Sequence, residues 1–193
     1  PTAARVSVTQ NGGLITLENE FLRVELNAEG DVSRVFDKAE QRDVLAPGAI
    51  GNALLAFEDR PMNYDAWDID IFYEDRTEKI GGLQRITVIE TGPIRAAVEI
   101  ERTYRSSSIR QTVYLSAGSR RIDFDTEIDW HEQHILVKAA FPVGVLSPVA
   151  TFDVQWGNVQ RPTHSNTSWD LARFETCAHK WVDMAEGNYG VAL

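Results

Sequence analysis

Three carboxylates fall within six residues in Asp65-Ala66-Trp67-Asp68-Ile69-Asp70. Acids at that density can pass protons or hold a hard cation. The calcium reading fails on the loop itself, which lacks the glycine that turns an EF-hand back on its ligands. No base stands at a fixed spacing from the acids, so capping of the loop is the competing account. The same segment is rich in rings, with Tyr64, Trp67, Phe72 and Tyr73 among the acids. Flat apolar faces beside planar hydrogen-bonding groups suit a sugar ring, although an aromatic stripe more often fills a core. A second block of this character contains Arg161, His164, Trp169 and Asp170. Such mixtures cost desolvation energy when buried, which places at least one block at a sheet rim.

Other constellations carry less. His131 and His134 stand three apart, whereas a helical zinc motif needs two histidines four apart on one face. They follow Asp129-Trp130 where a strand should turn, and a solvated loop explains them. Cys177 and His179 would share a face if extended, yet cysteines of this kind are usually small buried apolar groups. A serine nucleophile elbow and a glycine-rich phosphate loop are both missing from the sequence.

The elements that must position these blocks repeat with a period of two. Ile94, Ala96, Val98 and Ile100 alternate with Arg95, Ala97, Glu99 and Glu101, the pattern of a half-buried strand. Gln111, Val113 and Leu115 continue it, and after Ala117-Gly118-Ser119 the residues Ile122, Phe124, Ile128 and Trp130 alternate with acids. Earlier, Leu14 to Leu17, Phe21 to Leu26 and Val32 to Phe36 are short β-rich runs separated by turn-forming clusters. Ile135 to Val145 reads as a strand buried on both faces. Helix is limited to Ser168 to Phe174, capped by Thr167 or Ser168, with Pro47 to Leu55 a weak second candidate. Tyr189 to Leu193 is an apolar run that reads as a strand cut from a longer protein, or as one that pairs at a sheet edge. Many strands and few helices predict an all-β fold, a large antiparallel β-sandwich formed by residues 1–193 as one domain.

A chain of 193 residues with 43% hydrophobic and 25% charged side chains can bury a core, which excludes disorder. Its net charge of −10 repels phosphate backbones and anionic membrane surfaces, so nucleic acid and membrane are not expected as partners. One cysteine cannot form an internal bridge, which points to a reducing, cytoplasmic setting.

The blocks Tyr64 to Asp70, Asp129-Trp130-His131-Glu132, Ala140-Phe141-Pro142 and Arg161 to Asp170 occur in that order. Ala172 to Glu175, Ala178 to Asp183 and Glu186 to Leu193 follow. Together they resemble the carboxyl-terminal region of glycoside hydrolase family 38 α-mannosidases over nearly the whole chain. The resemblance implies a supersandwich related in fold to galactose mutarotase, standing behind a catalytic barrel and a helical bundle. It further implies a retaining enzyme acting on a terminal mannoside, with an aspartate nucleophile, a carboxylic acid and zinc, all in the barrel. None of the motifs for those groups occurs here, so no cofactor is expected in this chain and no catalytic residue is assigned to it. The expected partners are the barrel and helical domains and a mannoside substrate, and a homo-oligomer remains compatible with the sequence. The site candidates are Tyr64, Asp65, Trp67, Asp68, Asp70, Arg161, His164, Trp169 and Asp170, as carbohydrate or interface residues. Two rival readings stand beside this one: a free-standing carbohydrate-binding module, or a mutarotase-like enzyme using His164 or His179 with Glu175.

Overall fold

The computed structural model describes residues 5–193. Five antiparallel strands, β1 (Ser7–Asn11), β2 (Leu14–Glu18), β3 (Leu22–Leu26), β4 (Val32–Asp37) and β5 (Arg42–Asp43), form a first sheet in chain order. Next come β6 (Ala53–Glu58), a 3-10 helix (Ile71–Asp75), β7 (Thr77–Lys79), β8 (Leu83–Thr91), β9 (Arg95–Tyr104), β10 (Ser107–Ser116), β11 (Ile122–Asp129) and β12 (Ile135–Ala140). Strands β11-β10-β9-β8 make the facing sheet, and β12-β6-β7 a smaller third one. The chain finishes with β13 (Val149–Val154), β14 (Gly157–Pro162), helix α1 (Ser168–Leu171), β15 (Val182–Glu186) and β16 (Tyr189–Ala192). These last strands form a fourth sheet, ordered β14-β13-β15-β16. The all-β architecture expected from the alternation is present, and no helix among the described residues is long and apolar enough to cross a membrane.

The sandwich core lies between the first two sheets. Leu22, Val24 and Leu26 point inward at every second position of β3, and Ala96, Val98 and Ile100 of β9 and Val113 and Leu115 of β10 meet them. Polar clamps pin the sheets together at both ends. Asn19, buried in the β2–β3 turn, donates to the carbonyls of Ser116 (2.8 Å) and Ser119 (2.7 Å), while its own carbonyl accepts from the amides of Phe21 and Leu22. At the other end the buried carboxylate of Asp31 receives Arg102 of β9 at 3.0 Å and also pairs with Lys79. A buried ion pair needs such additional partners to offset its desolvation. The third sheet packs on the far end of β9 and β10, where Leu54, Ala56, Ile80, Tyr104 and Ile109 form a second apolar cluster.

Several local expectations are corrected. Pro47 to Leu55 is not helical; turns lead into β6 at Ala53. The strand expected over Ile135 to Val145 stops at Ala140, and it is half-buried rather than buried on both faces because β12 is an edge strand. Ile94 precedes β9 and is exposed, whereas Ala97, expected outward, is fully buried. Ala97 stands opposite Tyr114 in the β9–β10 register and Arg95 lies over that ring, so a methyl there is covered on the outer face as well.

Candidate functional site

The first aromatic–acid block occupies the excursion between β6 and β7. Tyr64 turns the chain with φ 53°, and its carbonyl accepts from the amides of Trp67 (2.7 Å) and Asp68 (2.9 Å). A left-handed tyrosine is uncommon and strained, so the turn must be held by its surroundings. It lays the Tyr64 and Trp67 rings nearly parallel, with centroids 6.3 Å apart and planes 17° apart. Trp67 is 85% exposed and Tyr64 70%, so the pair is an open platform. Asp70 closes the loop: its carboxylate accepts from the Met62 amide at 2.9 Å and its carbonyl from the Tyr73 amide at 3.0 Å. Asp65 reaches His134 Nδ1 at 3.3 Å. Asp68 is exposed and takes no ion pair among the described residues.

Tyr73 is the ring that points inward. It meets Phe57 of β6 edge-on at 5.2 Å and Phe174 at 6.2 Å. Lys138 of β12 donates to its hydroxyl at 2.6 Å and pairs with the carboxylate of Glu175. Phe174 and Glu175 follow α1, so these contacts fasten the second block to the first. Burial, and then the neighbouring Glu175, push the Tyr73 phenol well above its usual range. Burial and then Asp65 raise the Asp59 carboxyl, with His134 opposing them. One carboxylate oxygen of Asp59 is buried without a hydrogen-bond partner among the described residues.

In the second block Arg161 lies on β14, its guanidinium 5.1 Å from the Phe152 ring and 3.3 Å from the Cys177 carbonyl. Thr167 caps α1 as a full capping box: its hydroxyl accepts from the Asp170 amide while Asp170 accepts from the Thr167 amide, both at 3.2 Å. The Thr167 hydroxyl holds the Asp170 carboxyl below its usual range, with His164, 3.6 Å away, adding to the effect. Trp169 is 76% exposed. Asp70 and Asp170 therefore organise turns, while Trp67 and Trp169 stay on the surface instead of filling the sandwich.

The remaining constellations are dispersed. His131 pairs with Asp129 at 3.0 Å and His134 with Asp65, and no three metal-ligating side chains gather among the described residues. Among the described residues neither His164 nor His179 pairs with Glu175, which is engaged by Lys138, while His164 lies 3.6 Å from Asp170. Cys177, expected buried, is exposed. Sequence reasoning missed Lys138 and Tyr73 as the centre of the site. The available signal was Lys138 itself, the one cation in an otherwise apolar strand.

Residues 17–193 match the family described as Glycosyl hydrolases family 38 C-terminal domain. The chain is similar to Alpha-mannosidase 2C1 of Mus musculus, at 39% identity over 95% of this chain and 18% of the relative. It is also similar to Alpha-mannosidase G of Dictyostelium discoideum, at 35% identity over 94% of this chain and 17% of that protein. It thus spans under a fifth of the length of these curated relatives. Among solved structures it resembles an alpha-mannosidase from Enterococcus faecalis V583, with a TM-score of 0.76 at 17% identity, over 92% of this chain and 23% of that one. That likeness shows a shared fold.

Proposed function

The chain belongs to the glycosyl hydrolase family 38 C-terminal domains, and from that premise we propose that it is a non-catalytic β-sandwich domain of a longer, retaining α-mannosidase. The hydrolysis of terminal α-mannosides, with its carboxylates and zinc, belongs to a catalytic barrel outside residues 1–193. The residues present do not fit a zinc site, because the His131 and His134 side chains turn to different carboxylates. The role of this domain is to support the barrel and to present a rim to its sugar cleft. One observation carries that role: two blocks about a hundred residues apart meet through Lys138, Tyr73, Phe174 and Glu175, yet leave Tyr64, Trp67 and Trp169 exposed. Exposed aromatic clusters with polar surroundings mark interaction surfaces. The lone Cys177, exposed and without an internal partner, supports a reducing cytoplasmic setting.

The test is made in the full-length enzyme by Trp67→Ala and Asp68→Ala, comparing thermal stability with kcat/KM for a mannoside. Lost activity at unchanged stability supports the rim role, and equal losses in both leave Trp67 and Asp68 as structural residues only. The parallel Tyr64–Trp67 pair favours a second reading, a carbohydrate-binding module that stacks a sugar on the open ring. Mannoside binding by the 193-residue chain alone, abolished by Trp67→Ala, would favour it.

A further inference from the structure

We propose that the outer edge of β16 is the seat of an apolar extended segment of the parent polypeptide from outside residues 1–193, which adds to the fourth sheet as a further strand. This rests on the reading that the chain is one domain of a longer enzyme, and it concerns a surface separate from the rim described above.

Among the described residues strand β16 pairs only with β15, from Asp183↔Ala192 to Glu186↔Tyr189. Val182 and Leu193 exchange both backbone bonds, at 2.9 and 2.8 Å. Alternation along an antiparallel pair then turns the amides and carbonyls of Val191 and Tyr189 toward β15 as well, and those of Gly190 and Ala192 away from it. A row of unpaired backbone groups invites another strand, and proteins commonly guard such edges with charge, proline or polar side chains. Among the described residues the other edges are guarded in this way. Strand β5 is Arg42-Asp43, β7 has Glu78 and Lys79, β8 has Arg85 and Glu90, β12 has Lys138, β14 has Arg161 and Pro162, and β11 carries four acids. Strand β1 is polar throughout apart from Val8. Strand β16, Tyr-Gly-Val-Ala, has no charge and no proline.

Beside this edge the sandwich is open. Strand β11 is an outer strand of its sheet, and a cleft of about 640 Å³ runs between it, β4 with the segment after β5, and β16. Its walls include Val35, Leu45, Ile122, Phe124, Val143 and Val191. A strand on Gly190 and Ala192 would place alternate side chains into this apolar space, the combination that β-augmentation uses for affinity and specificity. The volume also suits a small apolar ligand, but only a strand would also bond the outward backbone groups of β16, which otherwise face water at the exposed Gly190 and Ala192. The curated relatives, of which this chain spans 18% or less, have ample further chain to supply the strand.

The test uses the intact parent enzyme. Hydrogen exchange there should show the Gly190 and Ala192 amides slowed at least a hundredfold relative to unstructured rates, with Val191, bonded to β15, as internal reference. Ala192→Pro removes the outward donor and spares the bonds to β15, and it should return Gly190 to fast exchange while Val191 stays slow. A photo-crosslinker at Val143 should join to a peptide of the same chain outside residues 1–193. Fast exchange at Gly190 and Ala192 in the wild-type enzyme overturns the proposal. So does a crosslink to a second copy, to a small molecule or to no peptide at all. If the enzyme remains an active mannosidase in those cases, the domain reading stands and only this inference falls. A native polypeptide no longer than this chain would remove both.

Discussion

Lys138 Nζ lies 2.6 Å from the hydroxyl of Tyr73, and the same ammonium pairs with Glu175 from a segment 37 positions further along the chain. A single cation thereby joins the third sheet, the 3-10 helix and the segment after α1. Without Lys138 the buried Tyr73 hydroxyl keeps only Glu74, at 3.2 Å, and the exposed Glu175 turns to water, so the loss is that of the contacts themselves.

Lys138→Met keeps the apolar stem and deletes the charge. It should destabilise the protein by about 0.5–1.5 kcal/mol, read from the urea midpoint at unchanged slope. Combined with Glu175→Gln the losses should fall short of additivity by at least ~0.5 kcal/mol, because both remove one interaction. Strict additivity would show that Lys138 and Glu175 act independently.

The clamp at Asp31 should be more sensitive. Asp31→Ala leaves Arg102, which is 7% exposed, without its carboxylate. Breaking one side of a buried ion pair costs about 3–5 kcal/mol. Denaturant unfolding checks this, and a loss below about 1 kcal/mol would mean that the Gly81 carbonyl, which also accepts from Arg102 at 2.8 Å, suffices alone.

Much of this was legible from side-chain periodicity. The alternation at Ala96, Val98 and Ile100 of β9 carries over because a strand with one wet and one dry face is the condition under which a period of two appears, and the β-rich run Phe21 to Leu26 became β3. The β9–β10 turn left no such mark: Arg105 occupies it with φ 50°, where asparagine or glycine is the usual signal. The rim was half legible. Tyr64 to Asp70 and Arg161 to Asp170 stood out by composition, and both do lie on the surface. Their connection through Lys138 is a contact between distant segments, which no local pattern encodes. Asn19 was hidden for the same reason, since a turn asparagine looks alike whether it bonds only its own loop or reaches Ser116 as well.

Asp59 should report on the acids around it. Its folded pKa is raised by burial and by Asp65, so the folded state binds the proton more tightly than the unfolded one. The contribution is favourable while the group is protonated and is lost as pH rises from the usual carboxylate range, about 4, through the raised folded value. Asp59→Asn should therefore raise the neutral-pH Tm while leaving it unchanged below about pH 4. A substitution that destabilises at neutral pH would show that the ionised carboxylate holds the loop in place.

Arg42 ties the fourth sheet to the first. Its guanidinium donates to Glu186 at 3.0 Å and to the Gly144 carbonyl at 2.6 Å, and lies 4.0 Å from the Tyr189 ring centroid. Glu186 also accepts from the Leu146 amide at 2.7 Å. That amide, and then Arg42, hold the Glu186 carboxyl below its usual range. A depressed folded pKa contributes stability above the unfolded value and loses it as pH falls through the folded one, so β15 and β16 should loosen below about pH 4. Arg42→Ala should accelerate hydrogen exchange at Val191 on the order of tenfold at neutral pH and flatten that acid response, with the sandwich core amides unaffected. Arg42→Lys should recover little, because an ammonium keeps the charge but neither the planar fork nor the face that stacks on Tyr189. Full recovery by lysine would reduce the Arg42 link to simple charge attraction.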